Sequence, residues 1–165
     1  CIQRPHTKSV QIIFNMLRLK PAEEFFNLAK DKGVAIIVRV PLASGLLTGK
    51  MNSNSIFPEN DHRNYNINGD AFDVGETFSG VDFNTALKVV DELKSITPEG
   101  FTLSQLALKW ILMHDAVSVI IPGAKNSDHA WNNISASSLP DISNLMTQIE
   151  NIYATYLKAD IHPRR

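Results

Sequence analysis

The chain has 165 residues and a formal net charge of −1, with 44% hydrophobic and 20% charged residues. These totals predict one folded domain with a real core, and they give no bulk electrostatic attraction to nucleic acid or to a membrane surface. No apolar run approaches the ~18 residues of a membrane span, and no signal peptide is visible.

The number of cysteines indicates the redox compartment in which the protein is expected to fold. Cys1 is the only cysteine, which excludes an internal disulfide and favours a reducing, cytoplasmic location. Because residue 1 is not methionine, we expect that it is not the native start of the protein. For Cys1 itself, a plain terminal residue is favoured over a reactive thiol.

The first part of the chain predicts a strand, a helix and a second strand. Residues 9–17 have the apolar pattern of a mostly buried strand. Pro21 suits the first turn of the following helix, and Gly33 ends it. Residues 34–40 form a continuous, largely β-branched run, which is typical of parallel sheets covered by helices. The region up to Val40 therefore predicts a parallel crossover unit.

Residues 51–80 differ from the rest of the chain and are called the flap here. They are rich in Asn, Asp, Gly and Ser and show no periodicity, with aromatic residues at Phe57, Tyr65, Phe72 and Phe78. A long aperiodic stretch in a compact protein is usually a functional loop or disordered. The aromatic residues indicate partial packing, so we expect the flap to be ordered.

The rest of the chain alternates helices with one more strand. Thr102 and Gln105 have the spacing of a capping box at a helix start. The tail over residues 162–165 is predicted to be a solvated end. The predicted elements are a helix over 81–96, a helix from Thr102, a third buried strand over 117–121, a short helix over 127–136 and a last helix over 142–157. We therefore expect an α/β fold with three core strands.

Two of the three predicted strands end in loops that hold glycine and lysine. Residues 44–50 supply backbone amides, two hydroxyls and Lys50, and residues 122–126 supply Gly123, Ala124 and Lys125 before a helix start. Glycine lets a backbone approach a ligand closely, and free amides in such a turn cradle anions. In parallel α/β proteins ligands lie beyond the carboxyl ends of strands. The two loops together predict a ligand with two separated phosphate groups.

Neither loop is specific alone. A Gly-Lys pair after a strand is also the pattern of a turn with a solvated charge, and this alternative stays open for each loop. The first loop is not a Walker loop, because Gly49 lies only four residues after Gly45 and Met51 follows Lys50. A flavodoxin-like domain that binds a mononucleotide is a further alternative, but it would need two more strands than the sequence provides.

Several short motifs occur in a fixed order along the chain. They are Ser9-Val10-Gln11 with Asn15, Lys32-Gly33-Val34, residues 41–50, Asn60-Asp61-His62-Arg63, residues 106–110, and residues 121–125 with Asn133. In this order they resemble the C-terminal part of an aldo-keto reductase, an NADP-dependent (β/α)8 TIM barrel. The resemblance implies that the three strands are the sixth, seventh and eighth of the barrel. Residues 1–165 would then be a single, incomplete domain with the flap over residues 51–80.

The resemblance implies NADP as the cofactor and assigns its contacts. Gln11 would face the nicotinamide carboxamide, and Arg39 stands where the family commonly has an aromatic ring stacked on the nicotinamide. A guanidinium plane can also stack on a ring. For Gln11 and Arg39 the alternative is a polar group hydrogen-bonded inside the barrel. The other implied contacts are Leu42, Ser44, Gly45, Leu47 and Lys50 on the pyrophosphate, Gly123, Ala124 and Lys125 on the adenosine 2′-phosphate, and His129 and Asn133 near the adenine.

The resemblance assigns no catalytic residue and no metal site to this chain. The family's Asp, Tyr, Lys and His set belongs to strands one to four, and Tyr65, Tyr153 and Tyr156 do not match its Tyr. The activity implied for the intact protein is the NADPH-dependent reduction of aldehydes or ketones to alcohols. A non-catalytic nucleotide-binding or interaction module is the alternative.

Three strands cannot close an eight-stranded barrel, which usually takes ~250 residues. Open sheet edges and a bare inner face invite pairing or aggregation. We therefore expect a segment of a longer chain, a truncated or split gene, or a piece that pairs with another copy or a companion half. The expected partners are a small carbonyl substrate and the missing N-terminal half of the barrel.

Overall fold

Three short parallel strands form the sheet in the computed structural model, which describes residues 2–163. The strands are β1 (Ser9–Ile13), β2 (Ala35–Arg39) and β3 (Val117–Ile120), and they lie side by side in chain order. Both neighbouring pairs are parallel, and Ile37 of β2 lies opposite both Gln11 and Val119. The three predicted strands and the parallel crossover unit are confirmed.

The connections between the strands are mostly helical. The helices are α1 (Lys20–Asp31), α2 (His62–Tyr65), α3 (Phe83–Ser95), α4 (Leu103–Leu112), α5 (Ser127–Ser135), α6 (Ser143–Tyr156) and α7 (Lys158–Ile161), with short 3-10 turns at Ala43–Thr48, Val74–Glu76, Phe78–Gly80 and Ala136–Ser138. Thr102 and Gln105 form the predicted capping box of α4. Across residues 2–163, none of the helices combines the length and the apolar character needed to cross a bilayer.

The apolar core lies between one face of the sheet and the helices. Ile36 and Val38 of β2 are fully buried there. Trp110 of α4 is also fully buried and stacks on Phe14, with the ring centroids 4.9 Å apart. Burial of an aliphatic or Phe side chain of this kind contributes about 1.5–3 kcal/mol. This one core packs the helices onto the sheet.

The opposite face of the sheet is much less covered. Gln11, Ile37 and Val119 lie on it in register across the sheet. Arg39 and Ile121 lie two residues further along, on the same face because side chains alternate, and the Ile121 amide donates to the Val38 carbonyl just past the end of β3. We call these residues the open face. Val119 is 43% exposed and Ile121 is 47% exposed. The prediction of a buried third strand is therefore wrong for this face, because the helices described here pack against the other one.

The first strand is shorter than predicted. It was expected over residues 9–17, but β1 ends at Ile13. The chain then turns at Asn15, whose carbonyl oxygen accepts from the Arg18 amide at 2.9 Å and whose Oδ1 accepts from the Leu17 amide at 2.9 Å. Residues 14–17 are nevertheless buried. Their apolar pattern therefore predicted burial correctly but strand structure wrongly. The other predicted boundaries differ from the observed ones by one or two residues, as helix and strand ends commonly do.

The flap is ordered, as predicted, and its end packs on the core. Phe78 is only 1% exposed. Its ring centroid lies 5.1 Å from that of Phe83 and 5.8 Å from that of Phe57. Three aromatic residues thus join the flap to the start of α3.

The first residue of the predicted tail, His162, is not fully solvated. Ile161 of α7, the residue before His162, is 2% exposed and packs in the hydrophobic core. His162 then lies between two helices, with Nδ1 3.3 Å from Tyr153 Oη and Nε2 3.1 Å from Glu23 Oε2. The prediction of a solvated end is therefore wrong for His162. The predictions for Cys1, Arg164 and Arg165 lie outside the described residues.

Candidate functional site

The two loops that hold glycine and lysine leave the sheet at the same edge. β2 runs into residues 40–50 and β3 runs into residues 121–126. Since β2 and β3 are neighbouring parallel strands, their carboxyl ends meet at one edge. Lys50 and Lys125 are both exposed. The topology therefore offers one accessible cation on each loop to a ligand that lies along this edge.

The loop after β2 has an unusual backbone. Val40, Ala43 and Ser44 have φ values of 52°, 48° and 56°, in the left-handed region that residues with a side chain disfavour. Gly45 follows with a φ of 95°. Each non-glycine residue in this region costs roughly 1–2 kcal/mol. Contacts with neighbouring segments must therefore hold the loop in this shape.

The amides of this loop are less available to an anion than the sequence predicted. We expected a row of free amides over residues 44–50, but the 3-10 turns pair several of them. The bonds run from the Gly45 and Leu47 amides to the Leu42 carbonyl (2.9 and 3.2 Å), from the Gly49 amide to the Leu46 carbonyl (3.0 Å) and from the Lys50 amide to Thr48 Oγ1 (3.4 Å). Leu47 is also fully buried. Positive charge at this loop therefore comes from side chains more than from bare backbone.

The Ser44 hydroxyl ties the loop to the end of the flap. Its Oγ donates to the Glu76 carbonyl oxygen at 3.1 Å and accepts from the Phe78 amide at 3.1 Å. The Thr48 hydroxyl likewise donates to the Gly45 carbonyl at 2.7 Å. Both hydroxyls that the sequence offered to a phosphate thus have partners within the protein.

Arg63 is a cation beside the loop after β2 that the sequence reasoning missed. Its Nε and Nη2 donate to the two oxygens of Asp61 at 2.9 and 2.6 Å, and its guanidinium lies over the Phe57 ring, 4.6 Å from the centroid. These bonds from Arg63 hold the pKa of Asp61 well below its usual range. A Cβ placed on Gly45 would lie 3.8 Å from Arg63 Nη1. The flap thereby fixes a guanidinium beside the loop after β2, and only the Asp61–Arg63 spacing could have indicated it.

Gln11 and Arg39 of the open face line a cleft of about 600 Å³ beside β1, together with Arg18, Asp73 and Glu76. Arg39 Nη1 lies 2.5 Å from Glu76 Oε2, and this hydrogen bond raises the pKa of Arg39. The pair directs the guanidinium toward the flap, so Arg39 is hydrogen-bonded in the structure. Contact of Gln11 or Arg39 with a nicotinamide ring stays a prediction.

The loop after β3 is exposed and is held at both ends. The Asn126 side chain accepts from the His129 amide at 2.9 Å and caps α5. The Asn133 side chain donates to the Gly123 carbonyl at 3.2 Å. Lys125 projects between these two anchors, and residues 123–129 are all exposed. The structure thus brings the predicted residues of this loop together at the start of a helix.

The tyrosines of the chain lie in other surroundings. Tyr65 packs edge-on against Phe72 in the flap, Tyr153 lies against His162, and Tyr156 donates to Glu92. Burial raises the pKa of Tyr153. Among residues 2–163, the His, Asp and Glu side chains form no group of three that could hold a metal ion.

Comparison with known proteins identifies relatives over most of the chain. The model of the aldo/keto reductase family matches residues 4–154. Aldo-keto reductase str7 of Strobilurus tenacellus is 32% identical over 120 residues, which cover 72% of this chain and 33% of that protein. A probable voltage-gated potassium channel subunit beta of Arabidopsis thaliana is 33% identical over 142 residues, which cover 82% of this chain and 39% of that protein. The chain thus spans between a third and two fifths of the length of these relatives.

Two solved structures share the fold at low sequence identity. The holo form of aldo-keto reductase AKR11C1 from Bacillus halodurans has a TM-score of 0.66 at 22% identity, and the match covers 92% of this chain and 44% of that one. The glycerol dehydrogenase AKR11B4 from Gluconobacter oxydans has a TM-score of 0.72 at 20% identity, and the match covers 90% of this chain and 43% of that one. The arrangement of the parallel sheet and its helices therefore matches part of a TIM barrel.

Proposed function

The chain belongs to the aldo/keto reductase family, and from this premise we propose that it is the cofactor-binding portion of an NADPH-dependent enzyme that reduces aldehydes or ketones to alcohols. Family membership supports an oxidoreductase. The choice of NADPH and of a small carbonyl substrate is our proposal, as is the cytoplasmic location expected from the single cysteine. One matched relative, from Schizosaccharomyces pombe, is named aldo-keto reductase yakc [NADP(+)], which favours the phosphorylated cofactor.

In this proposal β1, β2 and β3 are strands six, seven and eight of an eight-stranded barrel. The support is the open face, whose apolar side chains Ile37, Val119 and Ile121 would point into the barrel. In the intact protein the remaining strands, in the same chain or in a companion chain, would cover these residues. Residues 1–165 would then be one incomplete domain.

The observation that carries the proposal is the pair of exposed lysines on two loops at one edge of the sheet. Lys50, supported by the fixed guanidinium of Arg63, would face the cofactor diphosphate, and Lys125 would face the 2′-phosphate. The remaining contacts would come from Gln11 and Arg39 near the nicotinamide, from Leu42, Ser44, Gly45 and Leu47 along the first loop, and from Gly123, Ala124, His129 and Asn133 along the second.

When bound, NADPH supplies the hydride that reduces the carbonyl carbon. The residues of this chain would hold the phosphates and orient the ring, while the proton for the carbonyl oxygen would come from the first four strands of the intact protein. We therefore expect this segment alone to bind the cofactor without turning over a carbonyl substrate. A cofactor-binding module without catalysis is the second candidate, and the match to a protein named as a channel subunit favours it.

The cofactor proposal is tested by titrating the chain with NADPH and following nicotinamide fluorescence. A saturable enhancement that 2′-phospho-ADP-ribose competes away supports it, and no enhancement at high micromolar cofactor counts against it. The two candidates are separated by assaying the intact protein for oxidation of NADPH by aldehydes. Turnover supports the enzyme, and cofactor binding without turnover supports the module.

A further inference from the structure

Asn15 joins three segments at the carboxyl edge of the sheet. It follows β1 and has no exposed area. Its Nδ2 donates to the Val40 carbonyl oxygen at 2.9 Å and to Ser79 Oγ at 2.8 Å, and its Oδ1 accepts from the Leu17 amide at 2.9 Å. One side chain therefore connects the turn after β1, the exit of β2 and the end of the flap.

The two segments that Asn15 connects to each other both have strained backbones. Val40, Ala43 and Ser44 have left-handed φ values, and so do Phe78 and Ser79, at 51° and 59°. Val40 is β-branched, and this conformation is especially unfavourable for such a residue. Strained conformations persist when surrounding contacts over-determine them. The contacts between these segments are therefore the ones that hold the loop after β2 in shape.

Those contacts are polar and arise from different elements. Besides the two bonds from Asn15, the Ser44 hydroxyl bonds to both Glu76 and Phe78, and Arg39 forms an ion pair with Glu76. Asn15 and Ser79 are the buried polar members of this set, and buried hydrogen bonds are costly to leave unmade. Its loss would release Val40 and Ser79 together.

We propose that Asn15 is a positioning residue for cofactor binding, because it holds residues 40–50 in the shape that receives the dinucleotide diphosphate. This inference rests on the proposed function. With no exposed area, Asn15 cannot itself contact a ligand. It affects affinity indirectly, because the apparent affinity falls when a smaller fraction of the molecules has the loop after β2 in its binding conformation.

The geometry explains why asparagine occupies this position. The two hydrogens of one amide nitrogen reach two acceptors on different segments, while the amide oxygen accepts from the Leu17 amide. Aspartate would keep the acceptor and lose both donors. Alanine would lose all three bonds.

Asn15→Ala is the main variant, and Asn66→Ala is its matched control. Asn66 also has no exposed area and makes three side-chain hydrogen bonds, but all of them stay within the flap: to Thr77 Oγ1 at 3.1 Å and from the Ala71 and Phe72 amides at 2.9 Å each. Each substitution removes three side-chain hydrogen bonds from a place with no exposed area. Only the first removes a hydrogen bond to a residue of the loop after β2, the bond to the Val40 carbonyl oxygen.

Hydrogen exchange and dinucleotide affinity are measured on both variants well below their unfolding temperatures. Asn15→Ala is expected to speed exchange of the Gly45, Leu47 and Phe78 amides roughly tenfold. It is expected to weaken NADPH and NADH by the same factor, roughly three- to tenfold. Asn66→Ala is expected to speed exchange of the Ala71 and Phe72 amides and to leave both dissociation constants within about twofold.

Three results would overturn the role of Asn15: unchanged exchange at the three loop amides, faster exchange with unchanged affinity, or an equal loss of affinity in Asn66→Ala. If Asn15→Ala does not fold, Ser79→Ala removes one of its partners and is expected to give the same pattern at smaller amplitude. If the unmodified chain binds no dinucleotide, the proposed function fails and takes the ligand role of Asn15 with it. The exchange data then still decide separately whether Asn15 holds the loop.

Discussion

The side-chain amide of Asn133 donates to the carbonyl oxygen of Gly123 at 3.2 Å, so α5 holds the loop that leaves β3. The Asn126 cap fixes the other end of that loop against His129. Lys125 is exposed between these two anchors. A loop that is already ordered loses little conformational entropy when an anion binds beside its cation.

Reversing the charge of Lys125 is expected to separate the two nicotinamide cofactors. Lys125→Glu should weaken NADPH roughly tenfold or more, because it places a negative charge beside the 2′-phosphate, and should change NADH far less. Fluorescence titrations with both cofactors measure the effect. Lys32→Glu is the control, since exposed Lys32 precedes β2 and lies toward the amino edge of the sheet. Equal weakening of NADPH and NADH by Lys125→Glu would contradict the assignment.

The glycines of the two loops are expected to respond differently to alanine. Gly45 has a φ of 95°, and an added Cβ would lie 3.0 Å from Met51 Cε. Gly45→Ala should therefore lower the free energy of unfolding by roughly 1–3 kcal/mol. An added Cβ at Gly123 would have no atom of the described residues within 4 Å, so Gly123→Ala should change stability by less than about 0.5 kcal/mol. Urea unfolding followed by circular dichroism measures both, and equal stabilities would show that the first loop relaxes easily.

Stability is expected to fall on mild acidification through His114. Its ring lies among Phe14, Phe26 and Trp110, and its buried Nε2 has no hydrogen-bond partner among residues 2–163. Burial lowers the pKa of His114 to about 4, against the opposing charge of Asp115, which pairs with Lys30. The unfolded chain therefore binds the proton first, between about pH 6.5 and pH 4, and the stability present above pH 6.5 is lost across that window.

The size of this effect is modest because His114 is only partly buried. Between pH 7 and pH 5 we expect a loss of about 1–2 kcal/mol, measured from urea midpoints at the two pH values. His114→Phe should flatten this dependence while the other histidines remain. A variant with the same pH dependence as the original chain would place the titrating group elsewhere.

The attachment of α7 and His162 to the rest of the fold is expected to depend more on apolar burial than on charge. Glu23 pairs with Lys158 Nζ at 3.3 Å and with His162 Nε2 at 3.1 Å, but its side chain is 50% exposed. Glu23→Gln should therefore cost less than about 1 kcal/mol. Ile161 is 2% exposed, and Ile161→Ala should cost roughly 2–4 kcal/mol. Urea unfolding of the two variants decides the order, and a larger loss for Glu23→Gln would reverse it.

The local sequence pattern was sufficient to predict those elements whose structure is decided by residues close together in sequence. The β-branched run around Ile36 and Val38 predicted a parallel strand, and the Thr102–Gln105 spacing predicted a helix start. The position of both glycine loops at one edge followed from the parallel order of the strands. Each of these predictions uses contacts within a few residues or a rule of sheet topology.

Sequence reasoning failed where distant segments decide the structure. β1 ends early because of a turn at Asn15, and the bonds that hold Asn15 reach Val40 and Ser79, 25 and 64 residues away. The amides of the first loop are paired because its strained shape is held by the flap. The position of Arg63 beside the first loop was missed for the same reason, since it depends on how the flap packs.

The chain has two tryptophans in opposite surroundings, so its intrinsic fluorescence can distinguish two kinds of change. Trp110 is fully enclosed, whereas Trp131 on α5 is 70% exposed, one helix turn beyond the loop that carries Lys125. Their emission should differ in colour, with a blue component from the enclosed indole and a red component from the solvated one. A ligand bound at the second loop should lower mainly the intensity of the red component from Trp131. Unfolding of the core should shift the blue component from Trp110 to longer wavelength. One emission spectrum can therefore distinguish ligand binding from unfolding.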